Sequence, residues 1–299
     1  MKTRFLFSAM FVFLVIIFTS CEKDIPITDI TFQKEVSAIK MGETLTLNTR
    51  VFPADANNQR LKWSSSDISI ATVNENGEVT ALKKGTVQII VATNDGRQMA
   101  TCTLIVVDEP NIVMSYSVDS PINVYPQLSF SLISTSDIEM IVMDIGDGLE
   151  VVSLTDGLLR FGNQYYPLEV MPPRIVKIYC EHVTELRARE NHNYCYQITD
   201  LDISNATNLE KLFLEGRLTN LGVSGTERLS LIDLINNRIF SVQALNDLIG
   251  TLDYNSYISK REILVSINGK EDYDNVDFST AEDRGWSVVT YVKWENRWW

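Results

Sequence analysis

The sequence predicts a mainly β protein in which a β-sandwich is followed by a β-rich segment, a short repeat solenoid and small helices near the C-terminus. Turn dipeptides such as Asn76-Gly77 and Asp95-Gly96 separate short alternating or β-branched runs in the first third of the chain. Strand-like runs return after position 112. From position 183 onward, apolar residues recur in a repeated pattern.

The first 20 residues have the pattern of an export signal. Two cations precede 14 uncharged, mostly apolar residues (5–18), fewer than the roughly 20 that a membrane-spanning helix needs. Two small residues then precede Cys21, which resembles a bacterial lipobox, where the signal is cleaved and the new N-terminal cysteine is diacylated. We therefore expect a signal peptide at 1–20, lipidation of Cys21 and an anchor linker at 21–24, with the membrane as partner through this lipid. The alternative is an ordinary cleaved signal with a chance cysteine.

The charge of the chain argues against a nucleic-acid partner. The net charge is −13, and removal of residues 1–20, which hold two cations and no acid, leaves −15. Such a chain is repelled by phosphate backbones. Glu22 and Asp24 resemble the export signal that some Gram-negative anaerobes use for lipoproteins. That resemblance implies a lipid-anchored location at the outer membrane, facing the cell exterior.

Residues 25–108 are expected to form a small β-sandwich, because strand signals recur every 8–12 residues. Five sequence words occur in order: GETL at 42–45, VFPADA at 51–56, WSSSD at 63–67, IATV at 70–73 and GEVTALKKGT at 77–86. Together they resemble the bacterial Ig-like group 2 domain, a family of spacer and adhesive modules without catalytic machinery. The resemblance implies a stalk. We expect Trp63 in its core; the alternative is an exposed platform for stacking on sugars.

Residues 109–180 are predicted to form a β-rich cap that precedes the repeats. Residues 108–111 have the composition of a short polar linker. The proline in this segment favours extended geometry for the residue before it. Strand-like runs follow at 128–132 and 138–143. The Gly-rich turn at 144–148 carries two aspartates that could bind calcium. Their more common role is hydrogen bonding to their own backbone.

The segment 181–299 carries the repeats. Its clearest words are Leu209-x-x-Leu212-x-Leu214 and Leu229-x-x-Ile232-x-Leu234, which start 20 residues apart, and a weaker copy starts at Val183. The intervening words at 198–204 and 218–224 are also 20 apart. This period resembles a leucine-rich-repeat solenoid, in which each strand buries its apolar residues against its neighbours. The alternative is chance leucine spacing in a helix.

The end of the chain has the pattern of a C-terminal cap. Ser241 is placed to N-cap a helix that reaches about Leu252, and 262–266 resembles a strand. Ser279 and Glu282 form a capping-box pattern for a short helix, which Gly285 is placed to end before a strand at 286–290. The arrangement resembles surface lipoproteins whose leucine-rich repeats follow a β-rich N-terminal cap and finish in a strand like KGW-T-V, here RGWSV at 284–288.

No catalytic residue, cofactor site or metal site is expected. The chain has two histidines and none of the motifs typical of zinc proteases, serine hydrolases or phosphate-binding loops. The acidic run 272–277 lacks the glycine and terminal glutamate of an EF-hand loop, which favours a solvated turn over a calcium site. Cys102, Cys180 and Cys195 are expected to be buried thiols; a Cys180–Cys195 disulfide is the alternative.

A binding surface is the favoured functional site. Side chains alternate along a strand, so residues between the buried leucines should share the outer face of the repeats. The candidate ligand-face residues are Glu185, Arg187, Arg189, Lys211, Phe213, Glu215, Leu231, Asp233 and Ile235. Their mixed charge and exposed apolar groups suit a protein or glycan ligand. The alternative is that the apolar members pack under the caps.

The aromatic tail is a second place where a ligand could bind. Trp294, Trp298 and Trp299 would be able to stack on sugars, although termini more often fray or dock on their own domain.

We therefore expect a non-enzymatic, lipid-anchored, cell-surface binding or adhesion protein, in which an Ig-like stalk presents a leucine-rich-repeat head. Two alternatives stay open. One is an accessory subunit of an outer-membrane surface complex that uses the repeats for assembly. The other is a glycan or peptide hydrolase, because a catalytic pair of carboxylates cannot be recognised without geometry.

Overall fold

The computed structural model of this 299-residue chain describes most of its residues beyond the N-terminal segment. They are 24–118, 130–134, 140–144, 146, 148–153, 158–161, 175–188, 196–216, 218–235, 237, 241–255, 258, 260–268, 274–294 and 297–298. Cys21, Arg189, Cys195 and Trp299 lie outside them, so the predictions made for these residues stay predictions.

The N-terminal part is built from nine strands. They are β1 (Asp29–Phe32), β2 (Val36–Lys40), β3 (Thr44–Thr46), β4 (Thr49–Phe52), β5 (Leu61–Ser65), β6 (Ala71–Val73), β7 (Glu78–Ala81), β8 (Gly85–Thr93) and β9 (Met99–Val107). The strands form a four-stranded sheet in the order β2-β9-β8-β5, a three-stranded sheet β3-β7-β6 and the pair β1-β4. β2 runs parallel to β9, and the other pairs are antiparallel.

Alternation along the strands builds the core of this part. In β8, Val87, Ile89 and Val91 are buried, whereas the residues between them are half-buried. The prediction that Trp63 packs in this core is confirmed. Its ring is half-buried and lies edge-on to Phe32, with 5.8 Å between ring centroids.

The remainder of the described chain contains fourteen strands and two helices. They are β10 (Ile112–Val118), β11 (Phe130–Ser134), β12 (Met140–Asp144), β13 (Leu149–Ser153), β14 (Leu158–Phe161), β15 (Ile175–Tyr179), β16 (Val183–Ala188), β17 (Tyr196–Asp202), β18 (Lys211–Leu214), β19 (Asn220–Gly222), β20 (Leu231–Leu234), α1 (Val242–Thr251), β21 (Glu262–Asn268), α2 (Phe278–Asp283), β22 (Ser287–Trp294) and β23 (Arg297–Trp298). The protein is therefore mainly β, as predicted. Neither described helix has the length and apolar character needed to cross a membrane.

Two sheets organise this second part. The longer sheet has the order β14-β11-β16-β18-β20-β21-β22-β23, and its five strands from β16 to β22 are parallel. The other sheet has the order β13-β12-β15-β10-β17-β19. Along the chain, β17, β19, α1 and α2 alternate with the five parallel strands. One hydrophobic cluster takes residues from both sheets and both helices, so these elements share a core.

The predicted repeat words coincide with this pattern. Leu209, Leu212 and Leu214 are buried, and so are the corresponding residues of the next word at 229–234. Leu212 lies opposite Ile232 in the parallel register. The intervening words also pair in parallel, with β17 beside β19 at the predicted offset of 20 residues. The alternative of chance spacing in a helix is wrong, because the words form strands.

The two helices test the predicted caps. The Ser241 prediction is confirmed, because its hydroxyl accepts a hydrogen bond from the Ala244 N–H at 3.1 Å. The capping box at Ser279 is wrong. Asp277 is the N-cap of α2, accepting from the Thr280 N–H at 3.0 Å, and the Ser279 hydroxyl donates to the same carboxylate. Gly285, with φ of 76°, ends the helix as predicted.

Two arginines bind the carbonyl groups that follow α1. Arg284 Nη1 donates to Leu252 O, and Arg261 Nη1 donates to Asp253 O. Arg261 is only 2% exposed, donates from Nε to Leu229 O at 3.0 Å, and stacks on Trp286 with Cζ 4.3 Å from the ring centroid. Burial lowers the pKa of Arg261. The arginines therefore connect α1 to the two strands that follow it.

The segment 108–111 differs from the predicted polar linker. It does join β9 to β10, but Asn111 is 8% exposed and its side chain bonds to two other backbone segments. A linker of this kind is part of the packed structure.

Candidate functional site: the outer face of the parallel sheet

The parallel register brings the candidate ligand-face residues into rows across the sheet. Glu185, Lys211 and Leu231 lie side by side in one row. Arg187, Phe213 and Asp233 form the next row, two residues further along each strand. We call this surface the outer face. Because neighbouring parallel strands are about 4.8 Å apart, one ligand of modest size would contact several rungs.

Strand alternation explains why these residues share a face. Leu212 and Leu214 are buried on β18, while Lys211 is exposed and Phe213 is half-buried. On β20, Ile232 and Leu234 are buried, while the residues before each of them are half-buried. The leucines hold the sheet on its core, and the side chains between them point the other way.

Glu215 and Ile235 follow β18 and β20, and both are half-buried. Arg189, which completes the predicted set, lies outside the described residues. The apolar members are therefore half-buried rather than open to solvent. They are also not fully packed under the caps. Their burial is therefore intermediate between an open ligand-binding surface and a fully covered one.

One pair of charges on the outer face is compensated internally. The Arg187 guanidinium forms an ion pair with the Glu185 carboxylate, whose side chain is 12% exposed. The same guanidinium lies over the Phe213 ring, with Cζ 3.9 Å from the ring centroid. These contacts connect three neighbouring side chains of the outer face.

The other charges differ in how far they are engaged. Asp233 Oδ1 accepts a hydrogen bond from the Ile235 N–H at 3.0 Å, which leaves its second oxygen for another donor. Lys211 is exposed and forms no ion pair with any residue that the structure describes. Among the described cations of the predicted set, Lys211 and Arg187, Lys211 is therefore the more available to a ligand.

The outer face extends beyond the residues predicted from sequence. Glu262 and Ser287 continue the row of Leu231, and Leu264 and Val289 continue the row of Asp233. The sequence did contain the signal, since both segments were predicted as strands. Alternation along these strands puts Leu264 and Val289 on the outer face once their parallel pairing is known.

The extension adds mainly apolar surface. Leu264 and Val289 are half-buried, and Tyr291 is 38% exposed. Glu262 pairs with Lys260 at 2.9 Å at the edge of this region. The outer face therefore has a charged part over β16 and β18 and a more apolar part over β20 to β22.

The other candidate sites are less developed. Cys102 and Cys180 are buried free thiols, and burial raises the pKa of both, which disfavours the reactive thiolate. Asp144 Oδ1 accepts from the Gly146 N–H at 2.9 Å, which is the backbone role weighed against calcium. Across the described ranges, no three His, Cys, Asp or Glu side chains converge as metal ligands would. Asp147 and Asp272 lie outside those ranges.

The aromatic tail is described only in its backbone. β23 pairs with the end of β22, with Trp298 opposite Lys293 and Arg297 opposite Trp294. The tail therefore returns along its own domain over these residues. Its predicted contact with sugars stays a prediction.

Comparison with known proteins bears on the N-terminal part. The family model for the bacterial Ig-like domain (group 2) matches residues 26–104, so these residues are an Ig-like domain. An uncharacterized protein of Clostridium acetobutylicum is 42% identical over 82 residues, covering 27% of this chain and 21% of the relative. The Ig-like virion protein of Serratia phage KSP90 is 36% identical over 83 residues, covering 27% of this chain and 32% of the relative.

Another similar protein is the 3-O-alpha-D-galactosyl-alpha-L-arabinofuranosidase of Bifidobacterium longum subsp. longum, 45% identical over 53 residues. The match covers 18% of this chain and 5% of that enzyme. The chain thus spans a third or less of each of these relatives. Because glycosidases match only in the Ig-like region, the similarity carries no information on catalysis. Ig-like domains occur in surface proteins, and one of the relatives is a virion protein.

Proposed function

We propose that this chain is a non-enzymatic, lipid-anchored bacterial surface protein in which the Ig-like domain is a stalk and the second part is a leucine-rich-repeat head. The head binds a protein or glycan ligand on the outer face. The observation that carries the proposal is the alignment of Lys211, Phe213 and Asp233 with their neighbours across parallel strands. Such rows allow one ligand to contact residues on several neighbouring strands at once.

The repeat assignment is supported by sequence and register together. The 20-residue offset of the words agrees with the pairing of Leu212 with Ile232 and of Leu201 with Leu221. Each unit supplies one strand to the outer face and one element to the opposite side, which is the organisation of a solenoid. In this proposal α1 and α2 replace the opposite strands in the last units and close the core.

The chemistry of the outer face favours a protein ligand over a glycan. Arg187 covers one side of the Phe213 ring, and that side is closed to a sugar. The half-buried aliphatic groups of Leu231, Leu264 and Val289 suit the apolar side chains of a protein partner. Lys211 would bind a carboxylate at the rim of the contact, which favours specificity and fast association.

Lipid anchoring is proposed from sequence, with the membrane reached through acyl chains on Cys21 at the outer membrane. Metabolic labelling with an alkyne fatty acid in a bacterial host tests it. We expect label on the wild-type chain and none on Cys21→Ser. Protease treatment of whole cells then tests surface exposure, because a chain on the outside is digested without lysis.

The binding proposal is tested with arrays of purified host proteins and of glycans, probed with the full-length protein in detergent. We expect discrete protein ligands that are lost when Lys211, Phe213 and Asp233 are all changed to alanine. The matched control changes Lys62, Ile68 and Asp95 of the Ig-like domain to alanine. It removes one cation, one apolar side chain and one acid, as the test variant does, and leaves the head unchanged. Equal binding by both triple variants would contradict the outer-face assignment. Empty arrays with co-purified envelope proteins would favour the accessory-subunit alternative.

A further inference from the structure

A small apolar cluster joins the Ig-like domain to the head. Val107 at the end of β9 packs with Val142 and Tyr179 of the second part, and the three are 4%, 1% and 7% exposed. Ala38 and Ile105 contribute from the Ig-like side, and Leu149 and Val151 from β13. This cluster is separate from both cores. Bending at the junction would expose its apolar surface to water.

Asn111 fastens the connecting segment from within. Its backbone N–H donates to Ile178 O at 2.8 Å, its Oδ1 accepts from the Cys180 N–H at 2.8 Å, and its Nδ2 donates to Asn205 O at 3.0 Å. Asn205 Nδ2 in turn donates to Pro110 O at 3.2 Å. The segment therefore cannot move away from the head without breaking these hydrogen bonds, of which the one between Asn111 and Cys180 is buried.

Two ion pairs also connect the Ig-like domain to the head. Lys40 of β2 lies 3.8 Å from Asp144 of β12, and Lys84 pairs with Glu181. Each pair joins a cation of the Ig-like domain to an acid of the head. Pairs that are at least partly open to solvent add little stability, but they favour one docking orientation over others.

From these contacts we infer that the Ig-like domain and the head form one rigid body. The four residues 108–111 between β9 and β10 do not act as a hinge. Domains joined by few contacts move relative to one another, but a buried apolar cluster with internal hydrogen bonds opposes such motion. The direction in which the outer face points is then set by the fold of the junction. This inference does not depend on which ligand the head binds.

Distances between nitroxide labels test the inference in the full-length protein. A keto amino acid is encoded at exposed Glu75 of the Ig-like domain and Asp283 of the head, which leaves the native cysteines unchanged. A pair of labels at Glu75 and Arg97, both in the Ig-like domain, gives the width of the distance distribution expected within a rigid unit. We expect the interdomain distribution to match this reference in the wild type, and to broaden about twofold or more in Val142→Asp.

Controls separate the junction from general destabilisation. Met99→Asp places the same charge on a 67% exposed site of β9 and should leave the distribution unchanged. Val151→Asp, on the edge strand β13, provides a milder change if Val142→Asp does not fold. A wild-type interdomain distribution several times wider than the intradomain reference overturns the inference, whatever the variants do.

Discussion

Asn111 holds Cys180 in place by accepting a hydrogen bond from its backbone N–H at 2.8 Å. The two residues are 69 positions apart, and both are buried. Cys180 directly follows β15 and precedes the first parallel strand of the head. The bond therefore connects the segment that follows the Ig-like domain to the start of the surface that we propose binds a ligand.

Asn111→Ala should destabilise the protein by about 1–3 kcal/mol, because the substitution leaves the buried Cys180 N–H without an acceptor. The free energy of unfolding in urea measures this loss. Asn94→Ala, at an exposed position, is the control and should lie within about 0.5 kcal/mol of the wild type. A loss no larger than that of the control would show that the junction is not fastened by Asn111.

Buried and less buried residues alternate along β18 and β20, which predicts that two leucine truncations lower the free energy of unfolding by different amounts. Leu212→Ala should cost about 2–5 kcal/mol, since its side chain is fully buried and the substitution leaves a cavity. Leu231→Ala removes the same atoms from a half-buried site on the outer face and should cost about 1–2 kcal/mol. Unfolding in urea compares the two. Equal costs would contradict the assigned faces.

Arg261→Ala should destabilise the C-terminal cap by about 2–4 kcal/mol, because Leu229 O and Asp253 O lose their buried donor. The Trp286 ring also loses the guanidinium that covers it. Arg97→Ala, at an exposed arginine that pairs with Asp95, should change stability by at most about 0.5 kcal/mol. Tryptophan fluorescence and urea unfolding report both effects. Similar results for the two variants would mean that Arg261 is not needed by the cap.

Tyr179 should make the junction sensitive to alkaline pH. Burial raises its pKa, and the carboxylates of Asp144, Glu109 and Glu43 raise it further. The folded protein therefore keeps the phenolic proton where the unfolded chain has lost it. The contribution is complete below the ordinary pKa of 10 and is lost as pH rises through the higher folded value.

Melting temperatures between pH 9 and pH 11 measure this loss. Tyr179→Phe should flatten the alkaline decline, whereas Tyr254→Phe, at a 66% exposed site, should leave it unchanged. An identical decline in all three proteins would contradict the placement of Tyr179 in a closed junction.

The repeats could be predicted from sequence because alternation of buried and exposed residues is local. The spacing of Leu209, Leu212 and Leu214 was enough to place Lys211 and Phe213 on the opposite side of the strand. The sequence predicts the strands that carry Leu264 and Val289, but it does not place these two residues on the outer face. Their place in the rows depends on pairing with β20, which is a long-range property.

The wrong capping-box assignment has a local cause, whereas the burial of the linker at Asn111 depends on long-range packing. Serine is a common N-cap residue, which favours Ser279 from sequence. The helix begins two residues earlier, because the Asp277 side chain accepts a hydrogen bond from the Thr280 N–H. Asn111 follows proline in a polar segment and has the composition of a linker. Its burial depends on Cys180 and Asn205, which lie 69 and 94 positions away.

Photo-cross-linking tests the central claim most directly. Benzoylphenylalanine is encoded at Lys211 on the outer face and, in a control protein, at Met99 on the Ig-like domain, both exposed positions. Each protein is irradiated with a ligand identified on the array. We predict a cross-link from position 211 and none from position 99. A cross-link from position 99 alone would contradict the proposal that the head, and not the stalk, binds the ligand.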